Sequence, residues 1–190
     1  MPTVIVATAG ASDANSYVTV DEADAYWYNV DNAAWTKETV IQAKMLALTL
    51  ATRAIDRLKF IGKKLNDLPE GNTAYQALEW PRITNASEGW YEGVSDGLLP
   101  YTYNDSGTLI IPKSIREACC EQANWMLETG EASGEVVERI RLQREGVRSF
   151  SVPGLMEQYG GKPAGLHWLS PNAAMLLNKY VLNDVRVFRG

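Results

Sequence analysis

The sequence predicts a mostly α fold: a small helical bundle with a minor β-hairpin and extended N- and C-terminal arms, in a single domain over residues 1–190. Three observations predict it. A long apolar-periodic stretch runs from about Thr36 to Lys59 with no Gly or Pro inside it. Two later periodic stretches open at Pro112 and Pro171, where a proline's missing N–H costs a helix little. The two ends of the chain instead alternate valines with other residues, as strands and arms do.

In order along the chain, the segment to about Val20 reads as extended. Val4, Val6, Tyr17, Val18 and Val20 flank a Gly10-Ala11-Ser12-Asp13 turn. Asp21 reads as the N-cap of a short helix ending near Tyr28, and Asn29–Asn32 as a break. The long helix follows, with Thr36 as cap, Glu38 in its first turn, and Arg53, Arg57 and Lys59 near its end, placements that suit the helix dipole. Ile41, Met45, Leu48 and Ile55 form one apolar stripe on it, and Ala43, Ala47, Leu50, Ala54 and Leu58 a second. Two stripes imply contact on two sides. One is the domain's own core; the other is core as well or a neighbouring subunit.

Residues 83–110 read as a loop excursion rich in Gly, Asn, Ser and Asp, with Trp90, Tyr91, Tyr101 and Tyr103 as contact aromatics. A helix then runs from Pro112 to about Thr129, with Ile115, Ala118, Cys119, Ala123 and Met126 on one face and Gly130 as its stop. Ile140, Leu142, Val147, Phe150 and Val152 around Glu145-Gly146 suggest a hairpin, and Gly154–Gly165 a loop. Ser170-Pro171 opens a last helix to about Val181, and Asn183–Gly190 forms a tail of strand character.

Composition narrows the function classes. The hydrophobic fraction is 46%, ordinary for a folded chain, and the net charge is −5, which argues against a surface built overall for DNA phosphates. Cys119 and Cys120 are adjacent and offer no disulfide framework, which fits a reducing cytosol. The N-terminus lacks a signal-peptide pattern, and no stretch has the roughly 20 apolar residues that span a bilayer.

Catalysis leaves little trace. His167 is the one histidine, set between Leu166 and Trp168, and reads as a packing residue, since no nucleophile motif accompanies it. The cysteine pair has no zinc spacing, and there is no phosphate-binding glycine loop. The expectation is a protein that is not an enzyme and holds no cofactor or metal. Nucleic-acid binding competes more seriously. Arg53, Arg57, Lys59, Lys63 and Lys64 form a basic run with Phe60 interleaved, and single-strand binders combine such charges with stacking aromatics. Arg139, Arg141, Arg144 and Arg148 make a second cluster. Against this, cations at a helix C-terminus have a local reason to be there.

Several segments resemble a tailed-phage family: Ala14-Asn15-Ser16-Tyr17-Val18 followed by Asp21-Glu22-Ala23-Asp24-Ala25-Tyr26, then Trp35, Ala51-Thr52-Arg53-Ala54-Ile55-Asp56, and Leu78-Glu79-Trp80-Pro81-Arg82. The family is that of head–tail connector adaptors, or head completion proteins, often labelled DnaT-like single-stranded-DNA-binding proteins. The resemblance implies a helical bundle with a small β element, forming a homo-oligomeric ring of twelve between the portal protein and the tail or next connector ring. DNA would pass through the lumen without specific binding, and the protein would sit at the head–tail interface of the virion after assembly in the host cytoplasm, with no membrane partner. It also implies that the tail, with Val185, Arg186, Val187, Phe188 and Arg189, docks on the portal; its alternation suits strand addition. Ala43, Ala47, Leu50, Trp90, Tyr91, Tyr101 and Tyr103 are the expected subunit contacts. The leading expectation is therefore a structural adaptor, and the alternative a single-stranded-DNA-binding replication protein.

Overall fold

The computed structural model describes residues 4–64, 75–83, 110–130, 149–152, 155–158 and 169–182. They are mostly helical, as expected. The helices are α1 (Val20–Trp27), α2 (Ala34–Lys37), α3 (Ile41–Ile55), α4 (Lys113–Glu128) and α5 (Pro171–Leu177), joined by two small antiparallel ladders.

The centre is α4, which packs against α3 on one side and α5 on another, with α2 and α1 also touching it. Its buried face is Ile115, Ala118, Cys119, Cys120, Gln122, Ala123 and Met126, the expected stripe widened by Cys120 and a glutamine. Gln122 is fully buried and its side-chain carbonyl accepts from the Ser170 backbone N–H at 2.6 Å, which fixes the start of α5. Ser170 caps that helix by accepting from the Ala173 N–H at 3.1 Å. Pro112 is the N-cap of α4, one position before the helix proper, and Gly130 ends it at φ 74°, a left-handed conformation that costs glycine nothing.

The long Thr36–Lys59 helix is two helices. The chain leaves helical geometry at Glu38 and re-enters after Val40, where the Glu38 carboxylate accepts from the Val40 N–H at 2.8 Å. Thr36 caps nothing; it lies inside α2 and its hydroxyl donates to the Val30 carbonyl. Val40 is β-branched and has no side-chain cap to offer, so the break is held by α2 burying Trp35 against α4 rather than by a local signal. Trp35 is tied twice: its N–H donates to Asn124 at 2.8 Å and its indole to Asp24 at 2.7 Å.

Four other boundaries differ from the sequence reading. The cap of α1 is Thr19, not Asp21; Thr19 and Glu22 exchange the reciprocal bonds of a capping box. The segment before it forms no strand. It folds back on itself, with Asn15 accepting from the Val6 N–H at 2.9 Å and donating to the Val4 carbonyl at 2.7 Å. A hairpin pairs β3 (Ser149–Val152) with β4 (Leu155–Gln158), so part of the expected 154–165 loop is strand, while the expected turn at Glu145-Gly146 lies outside the described residues. The last helix stops at Leu177, because residues 180–182 turn to pair with 59–61 through the Phe60–Val181 bridge.

Candidate functional site

Three separated stretches meet beside the end of α3. The Tyr17 N–H donates to the Thr52 hydroxyl at 3.2 Å, and the Tyr17 hydroxyl donates to the Asp56 carboxylate. The Thr52 hydroxyl also lies 3.4 Å from the Cys119 sulfur. On the other side, Asp56 accepts from the Glu79 backbone N–H. Burial pushes the Asp56 carboxyl up to about 6, against the lowering effect of those two bonds. Tyr17, fully buried, is raised well above its ordinary value by burial and by the neighbouring carboxylate.

The Trp80-Pro81-Arg82 stretch closes this knot. Trp80 is buried, edge-on to Phe60 (5.5 Å between centroids) and to Tyr180 (5.3 Å). The Arg82 guanidinium donates to the carbonyls of Ile61 (3.0 Å), Phe60 (3.4 Å) and Gly62, and pairs with Glu79. Lys64 reaches the same Glu79 at 2.8 Å. The short ladder of β1 (Lys63–Lys64) with β2 (Arg82–Ile83) lies alongside. These groups hold backbone to backbone. Nothing in the arrangement pairs a nucleophile with a base.

The basic run is split by this packing. Phe60 is 3% exposed and sits among Trp80 and the core, so it cannot stack on a base. Lys63 and Lys64 are half-buried on the ladder. Arg53, Arg57 and Lys59 are exposed.

A known family described as "Putative DnaT-like ssDNA binding protein" matches residues 1–153. The chain belongs to this family. The matched stretch includes the knot and the whole basic run. No curated protein and no solved structure gives a match.

In this DnaT-like family member, three of the expected contact residues, Ala43, Ala47 and Leu50, lie on α3. Ala47, expected at a subunit contact, is fully buried in the chain's own core, between α3 and its neighbours, and offers no surface. Ala43 and Leu50 are half-buried on the same helix, beside the exposed Leu46. Trp90, Tyr91, Tyr101 and Tyr103, the tail residues Val185, Arg186, Val187, Phe188 and Arg189, His167, and the cluster of Arg139, Arg141, Arg144 and Arg148 lie outside the described residues.

Both cysteines are buried and free, and burial pushes the Cys119 thiol up to about 11, so neither is primed to react. Among the described residues no group of acids, cysteines or histidine has the makings of a metal site, and no helix is long and apolar enough to cross a membrane. Sequence reasoning missed the Asp56–Tyr17 pair and the role of Arg82. Their signal was present only as the resemblance of the segments that carry them.

Proposed function

We propose that this chain binds single-stranded DNA and performs no chemistry of its own on it, as a replication protein would. The family match carries this reading, since the family's description names single-strand binding and the matched residues hold the basic run. Gel-shift with a single-stranded oligonucleotide, a duplex control and a salt series tests it. Submicromolar, steeply salt-dependent retention of the single strand is the expected result; no retention at about 50 mM salt, where phosphate contacts are strongest, rejects it.

A second reading, a ring-forming head–tail adaptor between portal and tail, is supported by the sequence resemblance. The observation that favours it is where the resembling segments lie: Asn15–Val18, Ala51–Asp56 and Leu78–Arg82 come together in one buried knot, so they speak for a shared scaffold more than for a nucleic-acid surface. The acidic total also suits a channel wall that does not grip duplex DNA. In this reading the protomers form a twelve-membered ring and residues 183–190 dock on the portal. Deleting 183–190 should leave the circular dichroism unchanged and abolish portal binding. Normal portal binding by the truncated protein removes the docking role, and electron microscopy of the protein with its portal shows whether a ring forms.

A further inference from the structure

The charges around the end of α3 sort into two groups. One is consumed internally. Glu79 takes both Lys64 and Arg82, while Asp56 takes the Tyr17 hydroxyl and the Glu79 N–H. The other group faces water. Arg53 lies in the last turn of α3 and Arg57 in the turn that follows it, and both are exposed. Lys59 follows two residues later, at the edge of the ladder, where its carbonyl accepts from the Leu182 N–H at 2.8 Å. The Ile61 N–H donates to the Tyr180 carbonyl at 2.9 Å, and the exposed Lys179 is the residue before Tyr180, in the turn that leads into the Phe60–Val181 bridge. Lys179 rests over the Tyr180 ring at 4.9 Å, a contact that leaves its charge in place. None of these four cations has an ion pair among the described residues. Among the described residues, the two acids beside them, Asp56 and Glu79, are already engaged.

From this geometry we infer that Arg53, Arg57, Lys59 and Lys179 form a phosphate-contact edge along which a single strand lies by its backbone, without base stacking at this edge. This rests on the single-strand reading and goes past it in two ways. Lys179 lies beyond the matched residues 1–153. Among the described residues, the aromatics beside this edge, Phe60, Trp80 and Tyr180, are buried against one another and offer no face for a base. An edge of this kind reads no sequence, and its affinity comes from counterion release. The negative remainder of the surface orients the strand onto it.

The test is fluorescence anisotropy of the full chain with labelled dT and abasic oligonucleotides across a salt series. The variants are Lys179→Gln, the fourfold Arg53→Gln/Arg57→Gln/Lys59→Gln/Lys179→Gln, and Lys113→Gln as a control on a lysine 82% exposed at the start of α4. Each phosphate contact on a single strand adds about −0.7 to the slope of log K against log salt, so Lys179→Gln should weaken binding roughly fivefold at 0.1 M salt and flatten the slope by about 0.7. The fourfold variant should lose most of the salt dependence, Lys113→Gln should change nothing, and the abasic strand should bind as well as dT. Lys179 is exposed, so its single variant keeps the test open if the fourfold variant melts early. A wild type that binds no single strand overturns the single-strand reading and this edge with it. A wild type that binds, with Lys179→Gln and the fourfold variant unchanged in slope, overturns the edge alone. Loss of binding to the abasic strand overturns the backbone mode.

Discussion

The Tyr17 hydroxyl donates to the Asp56 carboxylate, thirty-nine positions away in sequence, and so fastens the segment before α1 to the end of α3. Because burial raises Asp56 from its ordinary 3.8 to about 6, the folded chain holds this proton more tightly than the unfolded chain does. The group's contribution is therefore fully present below about pH 4 and is lost as pH rises through about 6, by an amount on the order of 2–3 kcal/mol. Asp56→Asn removes that dependence. Urea unfolding at several pH values between 4 and 7 should show the variant gaining on the wild type as pH rises. A difference that stays constant across the window means that Asp56 does not titrate there.

Arg82 donates to four backbone carbonyls, those of Phe60, Ile61, Gly62 and Glu79, and to the Glu79 carboxylate. Arg82→Ala strands them partly buried and should cost about 2–4 kcal/mol in denaturant unfolding. Arg82→Lys should recover little of this, because an ammonium has no planar fork with which to reach the Ile61, Phe60 and Gly62 carbonyls together. Full rescue by lysine would show that only the charge matters.

Ala47 distinguishes a core position from an interface position. Its exposure is 0%, so Ala47→Leu must overpack the α3–α4 contact and lower stability by about 1–3 kcal/mol. A stable monomer whose assembly alone is impaired would return Ala47 to the surface. Thermal melts with size-exclusion chromatography separate the two outcomes.

Thr19 and Glu22 close α1 with reciprocal bonds, the Glu22 N–H to the Thr19 hydroxyl at 3.2 Å and the Thr19 N–H to the Glu22 carboxylate at 2.8 Å. Thr19→Ala should cost about 1 kcal/mol by chemical denaturation. Asp21→Ala, at the position the sequence suggested as cap, should cost only a few tenths through the dipole.

What was legible in the sequence was whatever local rules govern. The face of α4, the Ser170-Pro171 start and the Gly130 stop follow from periodicity, a capping hydroxyl and a left-handed glycine, and all three are where the residues put them. The break between α2 and α3 was not legible. Its residues propagate a helix pattern, and only the burial of Trp35 beside Asn124 and Asp24 interrupts it. The strand at Leu155–Gln158 was not legible either, because the glycines around it read as loop and only its pairing with Ser149–Val152 makes it a strand. The basic run was visible as composition, but its division into exposed and half-buried charges was not. Phe60 looks like an interleaved aromatic and becomes a core residue only because Trp80 and Val181 reach it from far along the chain.

The pairing of residues 59–61 with 180–182 has a consequence for how the chain is made. Family likeness ends at residue 153, yet Ala173, Leu177 and Tyr180 are all buried in the common core. During synthesis, Phe60 and Trp80 emerge before Tyr180, the third ring of their cluster, which comes only after the last helix. The end of the family match is thus not a boundary of folding. A fragment cut at residue 153 would keep the family's signature and lose the residues that close it.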